Sequence, residues 1–263
     1  MTAMPEYAPG WTHFLEAAVL VFIRLSGLFV FAPVFSSQAI SAKVKGVFLM
    51  VLTVILAPVA AALPGAQVSL GFRGVIGELG VAAILGMTLA MLNELAGLAG
   101  QLLGMQFSFS LVNLLDPNSQ VQTPLFSQIL GLLETTVLVT AGCHRTILAS
   151  LLGSFSAVPL GAGLAPRGMG LPLVGAMGGV FLAALQLAAP VIAATLLVEI
   201  GIALMSRMSP QLPVLALTIP AKTIIGYTML LGAMCLWPVF FEARFDGLMH
   251  IAQQMLLQLP RQG

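Results

Sequence analysis

Charged residues are scarce in this chain. Only 7% of its 263 residues are Asp, Glu, Lys or Arg, whereas a soluble domain carries roughly 25%. Hydrophobic residues make up 59%, so the chain has too few charges to cover a water-facing surface, which excludes an ordinary soluble enzyme. Ten Lys and Arg against nine Asp and Glu give a net charge of +1, which leaves no basic face for nucleic acid.

Cysteine and catalytic motifs are equally sparse. Cys143 and Cys235 are the only cysteines and have apolar neighbours, so we predict two buried thiols and no disulfide. The sequence contains no GxSxG, HExxH or Walker loop, and its three histidines are far apart. We therefore predict no catalytic centre, no metal and no cofactor. Residues 1–12 contain no Lys or Arg, so the amino terminus lacks the positive region of a cleaved signal peptide.

Long apolar runs are what the sequence does contain. A helix needs about 20 apolar residues to cross a membrane, and six candidate segments follow one another along the chain. They are Phe14–Phe35, Gly46–Leu63, Val75–Met105, Leu125–Ala141, Leu171–Met205 and Val214–Phe241. These segments predict an all-α membrane protein with a single domain over residues 1–263. The third and fifth are long enough to be kinked, re-entrant or broken helices, and Pro58, Pro190 and Pro220 fall inside apolar stretches.

The carboxyl-terminal stretch has a different pattern. From Phe241 to Leu259 the apolar residues recur at helical spacing, and Glu242, Asp246 and His250 lie on the opposite face. This pattern predicts an amphipathic helix over about 241–259. Two interpretations remain open, a helix lying on the bilayer surface and a docking helix for a partner.

Six charged residues fall inside or at the edges of the apolar segments. Each would cost on the order of 2.5–3.5 kcal/mol at the centre of a lipid-facing helix. They must therefore pair with one another, line a wet passage or meet other subunits. A substrate or ion site in a transporter would explain these charges, and so would contacts with other subunits. Composition alone does not distinguish the two. The six are Arg24, Glu78, Glu94, Glu134, Glu199 and Lys222.

Residues 105–124 are too polar for a lipid-facing helix and too apolar for a solvated loop. They include Phe107 and Phe109 among Ser, Asn and Gln, and they contain no Lys or Arg. Pro117 disfavours helical geometry at Asp116, which predicts a break there. One interpretation is a plain connection between two helices.

Several short strings, in order along nearly the whole chain, resemble a known family. The first are Arg24–Phe29 and Ala32–Phe35, and Leu115–Ser119 follows with Gln122 and Pro124. Later strings are Ser154–Phe155, Pro159–Gly161, Leu187–Ala188 and Pro190. The last positions are Glu199, Arg207, Pro210–Gln211, Pro220, Lys222 and Gly226. Together they resemble the FliR family, membrane components of the flagellar type III export gate that are related to the SctT proteins of virulence injectisomes.

The resemblance implies a gate subunit in the bacterial inner membrane, within the flagellar basal body. Such a subunit assembles with FliP- and FliQ-like proteins into a channel of bent helical hairpins and works with FlhB- and FlhA-like components. Unfolded flagellar proteins would pass through the pore. Gly142-Cys143-His144-Arg145 stands where the family often has Gly-His-His, and Pro213 and Leu215 also depart from its pattern. The alternatives are an injectisome subunit and an independent small-solute transporter.

The resemblance also implies a plug. The family stretch that matches residues 105–124 occludes the closed gate, which favours an apolar tongue in the channel over a plain connection. Hydrophobic side chains there would close the pore by excluding water. The implied gating residues are Phe107, Phe109, Leu111, Val112, Leu114, Leu115, Asp116 and Pro117. From their charge within apolar segments we separately predict that five residues meet protein or water and not lipid tails, as buried charges or contacts between subunits, namely Arg24, Glu78, Glu94, Glu199 and Lys222.

Overall fold

The computed structural model describes residues 9–31, 41–107, 125–162, 170–209, 211 and 214–257. Within those ranges the chain forms eight α-helices and no β-strand. The helices are α1 (Pro9–Phe31), α2 (Ala42–Ala61), α3 (Phe72–Gln106), α4 (Leu125–Thr140), α5 (Cys143–Ala157), α6 (Gly170–Met208), α7 (Val214–Met234) and α8 (Trp237–Leu257). The prediction of an all-α protein is confirmed.

The helices form two compact units. Unit 1 contains Met1–Ala90, Gly142–Ala176 and Phe245–Gly263, and unit 2 contains Met91–Ala141 and Met177–Arg244. Helices α3, α6 and α8 each contribute one part to each unit. In unit 1, Gly27 of α1 lies so close to α3 that a Cβ there would be 2.4 Å from Ala82 Cβ. Glycine is therefore what allows α1 and α3 to pack at this distance.

The apolar segments correspond to long helices. Among the described residues, α1, α2, α3, α6 and α7 are long and apolar enough to cross a membrane, and α4 with α5 counts as a sixth if the pair is one bent span. Helices α3 and α6 have 35 and 39 residues without interruption. At 1.5 Å per residue they are roughly 52 and 58 Å long, far more than the ~30 Å hydrocarbon core requires.

Two segment boundaries differ from the prediction. Helix α5 was not predicted, because the polar string that begins at Cys143 interrupts the apolar run, and Gly142 (φ 77°) separates α4 from α5. The predicted segment Val214–Phe241 is divided, since α7 ends at Met234 and α8 begins at Trp237. Pro238 explains this break, because it has no N–H to donate to the carbonyl of Met234.

Helix α8 (Trp237–Leu257) covers most of the predicted carboxyl-terminal helix, and its apolar face lies inside the chain. The apolar side chains that would enter the bilayer are already buried within the chain, and these are Phe241, Phe245, Leu248, Met249, Ala252, Met255 and Leu256. In unit 1, Gln253 Nε2 donates a hydrogen bond of 2.8 Å to Ser150 Oγ of α5. This face of α8 is therefore part of a core.

The cysteine prediction is half right. Neither Cys143 nor Cys235 forms a disulfide, and Cys143 is buried as expected. Cys235 is exposed instead, because it lies in the break between α7 and α8.

Candidate functional site

Arg24 and Glu78 form an ion pair inside unit 1. Arg24 is on α1, Glu78 is on α3, and both side chains are 0% exposed. Arg24 Nε lies 2.5 Å from Glu78 Oε2, and Arg24 Nη2 lies 3.0 Å from Glu78 Oε1. The guanidinium therefore donates two parallel hydrogen bonds to the carboxylate, which is the strongest geometry available to this pair.

The remaining donors and acceptors of this pair are also used. Arg24 Nη1 donates to the carbonyl of Val158 (3.0 Å) and to Ser154 Oγ (3.3 Å). The backbone N–H of Gly161 donates to Glu78 Oε1 (2.9 Å), and the guanidinium lies 4.4 Å from the centre of the Phe155 ring. A buried ion pair is tolerated when its other polar atoms are satisfied. The network ties α1, α3, α5 and the turn after α5 together.

Gly161 gives this network a strict backbone requirement. Its φ of 77° is in the left-handed region, and a Cβ there would lie 1.9 Å from the carbonyl oxygen of Gln67. The N–H of Gln67 donates to the carbonyl of Leu160 (2.7 Å), which draws the two loops together. Only glycine fits at a left-handed position this crowded.

A second ion pair lies in unit 2, between Glu199 of α6 and Lys222 of α7. Lys222 Nζ is 2.5 Å from Glu199 Oε1, and the lysine side chain is only 11% exposed. The glutamate side chain is 44% exposed. Leu196, Leu197 and Ile200 beside it are exposed apolar residues. A carboxylate is thus presented on an otherwise apolar surface.

The other two predicted charges are placed differently from each other. Glu94 on α3 is exposed and makes no ion pair within the part of the chain that the structure describes. Glu134 on α4 is 0% exposed, and neither of its carboxylate oxygens has a hydrogen-bond partner among the described residues. Among the six predicted charges, Glu134 alone is both buried and without a partner among the described residues.

Of the predicted gating residues, the structure describes Phe107. It follows the end of α3 and is 7% exposed. Its ring centre lies 4.9 Å from that of Phe126 on α4 and 4.7 Å from that of Tyr227 on α7, and both interplanar angles are 22°. Phe109, Leu111, Val112, Leu114, Leu115, Asp116 and Pro117 lie outside the described residues.

Sequence reasoning missed several residues of these clusters. Phe126 and Tyr227 were not singled out, although Phe107 lies near the start of the gating segment and Phe126 is only two residues beyond its end. Ser154 and Gly161 were noted only through the family resemblance, since no spacing rule connects them to Arg24. Aromatic residues at both ends of the gating segment were the one signal that could have indicated the ring cluster.

The described residues hold no arrangement that suggests metal chemistry. No group of three or more His, Cys, Asp or Glu there is placed to hold a metal ion. His144 Nδ1 is buried and has no hydrogen-bond partner among them. The polar contacts between helices that the structure does show include the Arg24–Glu78 and Lys222–Glu199 ion pairs.

Comparison with known proteins agrees with the resemblance. The family described as bacterial export proteins, family 1, matches residues 15–248. The flagellar biosynthetic protein FliR of Escherichia coli is 25% identical over 254 residues, covering 95% of this chain and 96% of its own. FliR of Bacillus subtilis is 26% identical over 236 residues, 87% of this chain and 89% of its own. FliR of Caulobacter vibrioides is 26% identical over 237 residues, 89% and 94% of the two chains. The chain therefore belongs to family 1 of the bacterial export proteins, the family of the FliR proteins.

Proposed function

We propose that this chain is a non-catalytic subunit of a flagellar type III protein export gate in the bacterial inner membrane. The observation that carries the proposal is the family match over residues 15–248, with flagellar relatives covered over nearly their whole length. The flagellar names of these relatives favour the flagellar branch over an injectisome. The long apolar helices fit a membrane component.

The proposed partners are FliP- and FliQ-like subunits within the gate, with FlhB- and FlhA-like components at the base of the flagellum. The cargo is unfolded flagellar protein. Exposed apolar side chains on α2, α6 and α7 supply the surface for lipid and for neighbouring subunits. A carrier of small solutes would need a substrate site of its own instead.

Deletion of the gene tests this function in cells. We expect loss of motility and loss of flagellar filament protein from the medium, both restored by a plasmid copy of the gene. Export that continues at the wild-type level without the gene would contradict the proposal. Solute uptake by the purified chain alone would favour the carrier.

Glu199 is the best candidate for a contact between subunits. Lys222 Nζ binds its Oε1, its side chain is 44% exposed, and exposed apolar residues lie beside it. Glu199→Gln should reduce the yield of co-purified gate by several-fold, the effect expected when one member of a desolvated charge pair is lost. Glu242→Gln, on the exposed face of α8, is the matched control. Equal yields of both variants would remove Glu199 from the interface.

We also propose that residues 105–124 plug the pore, as their family resemblance and composition suggest. Deleting Ser108 to Leu114 should leave the gate assembled and make cells leak small ions. A deletion gate that assembles and stays as tight as the wild type would leave the segment as a plain connection.

A further inference from the structure

Glu134 lies on the buried face of α4 in unit 2. The buried residues of α4 are Phe126, Leu130, Glu134, Val137 and Leu138, and they follow the spacing of one helix face. Four of these side chains are apolar, and Glu134 in the middle of the row is 0% exposed. A carboxyl group therefore occupies a position where the pattern of α4 calls for an apolar side chain.

A second glutamate shows how this chain accommodates a buried carboxylate. Glu78 is also 0% exposed, but its oxygens accept hydrogen bonds from Arg24 Nε, from Arg24 Nη2 and from the backbone N–H of Gly161. Neither oxygen of Glu134 accepts a hydrogen bond from any group among the described residues. The two glutamates are thus equal in burial and differ in their partners.

The chain offers few cations that could balance a charge on Glu134. Of its ten Lys and Arg, all but Arg167 and Arg261 lie within the described ranges. None of those within the ranges, and none of the three His, donates a hydrogen bond to Glu134. An ionised carboxylate without a partner is far more costly in apolar surroundings than the neutral acid. These surroundings therefore favour the neutral form.

We propose that Glu134 holds a proton inside the folded chain and is present there as a neutral carboxylic acid. Proton transfer requires a neighbour within hydrogen-bond reach, and no group in the described part of the chain is hydrogen-bonded to either oxygen. The proton therefore stays on Glu134 and is not passed on. This inference depends on the contacts of α4 and not on the function proposed above.

Infrared spectroscopy measures the protonation state directly in the full-length chain, purified from its native membrane with the proteins that accompany it. The difference between wild type and Glu134→Gln at neutral pH should contain the carbonyl band of a protonated carboxylic acid and no carboxylate bands. Glu242→Gln is the matched control, because Glu242 is exposed and α8 is not among the candidate spans of the described residues. Its difference spectrum should contain carboxylate bands. Carboxylate bands in the Glu134 difference spectrum would overturn the proposal.

Dicyclohexylcarbodiimide, an apolar reagent for protonated carboxyl groups, provides a chemical test in native membranes. The carboxyl oxygen bonds to the central carbon of the reagent, and the acid proton moves to one of its nitrogens. The acyl group then migrates from that oxygen to the other nitrogen, which leaves a stable N-acylurea and releases nothing.

Mass spectrometry of the digested chain should find this N-acylurea on Glu134 and not on Glu78, which is equally buried but paired with Arg24. Glu134→Gln should abolish the modification. Modification of Glu78 as readily as of Glu134 would contradict the proposal. If neither glutamate reacts, the reagent does not reach this depth of the chain, and the infrared bands decide.

Motility separates a proton that is held from one that must move, provided that the chain serves in flagellar export as proposed above. Glu134→Gln keeps a neutral group of the same size and should restore motility to the deletion strain as well as the wild-type gene does. A non-motile Glu134→Gln strain with a normal amount of the protein would show that the proton has to leave, and would overturn the inference that it is held. If deletion of the gene leaves motility unchanged, the proposed function fails and the infrared result still decides on Glu134.

Discussion

At the scale of single residues, the chain places charged side chains in apolar surroundings, and four of the six form ion pairs with one another. Arg24 has partners in Glu78, Ser154 and Val158, and its guanidinium also lies over the Phe155 ring. Replacing only one member of such a pair lowers stability strongly, because the remaining partner becomes an uncompensated buried charge.

Removing either member of this pair alone should therefore destabilise the protein. Arg24→Met or Glu78→Leu should each cost about 3–5 kcal/mol, measured as thermal unfolding of the purified protein in detergent. The double variant should lose clearly less than the sum of the two. Arg24→Lys should not rescue, since an ammonium cannot make the two parallel hydrogen bonds. Additive losses would mean that the two residues do not act as a pair.

Glu134 leads to the opposite expectation. Because both of its oxygens lack a partner among the described residues, Glu134→Met should leave stability unchanged or raise it by about 1–3 kcal/mol. Glu134→Gln is the control, since it keeps a polar group at the same place and should gain little. A loss of stability in Glu134→Met would show that Glu134 binds a group elsewhere in the chain or in the assembled gate.

At the scale of helices, close approach depends on a few glycines. In unit 2, a Cβ on Gly100 of α3 would lie 2.3 Å from the backbone of Ser127 on α4. Gly97, less than one turn away, has nothing within 4 Å of its own Cβ position.

This pair of glycines gives a matched test of the α3–α4 contact. Gly100→Ala should destabilise the protein by about 1–3 kcal/mol, the usual cost of overpacking. Gly97→Ala should be neutral or slightly stabilising, since alanine favours a helix. Thermal unfolding of the two variants side by side measures the difference. Equal stability would show that α3 and α4 do not pack this closely.

Helix α8 gives another expectation at this scale. Phe245 is 1% exposed, whereas Leu257 on the same helix is 74% exposed. Phe245→Ala should cost about 3–5 kcal/mol through the cavity that it leaves, and Leu257→Ala should cost little. The yield and the melting temperature of the two purified variants measure the difference. If both variants behave alike, the face of α8 is not part of the core.

The sequence predicted the helices better than it predicted their contacts. Apolar runs are local, so the long helices were visible from composition alone. Helix α5 was missed because the polar residues at its start interrupt the apolar run from which a helix would be predicted. The sequence also shows which charged residues lie within apolar segments. It does not show which of them pair, because Arg24 and Glu78 are 54 positions apart along the chain. The role of Gly161 depends on a loop contact that has no periodic signal.

At the scale of the whole molecule, the chain combines two ion pairs between helices with many exposed apolar side chains. Helix α2 in unit 1 and helix α6, most of which is in unit 2, each expose many large hydrophobic side chains. Such a surface requires lipid or protein around it. The exposed Glu199 on α6 favours protein over lipid as its neighbour, because a carboxylate that faces lipid tails has a high free-energy cost.

The most direct test of the central claim is purification of the tagged chain from its native membrane, followed by imaging of the particles by electron microscopy. We expect FliP- and FliQ-like proteins to co-purify with it and the particles to enclose a pore. Isolation of a single chain that is stable without those partners, with no pore in the images, would contradict the account of an export gate.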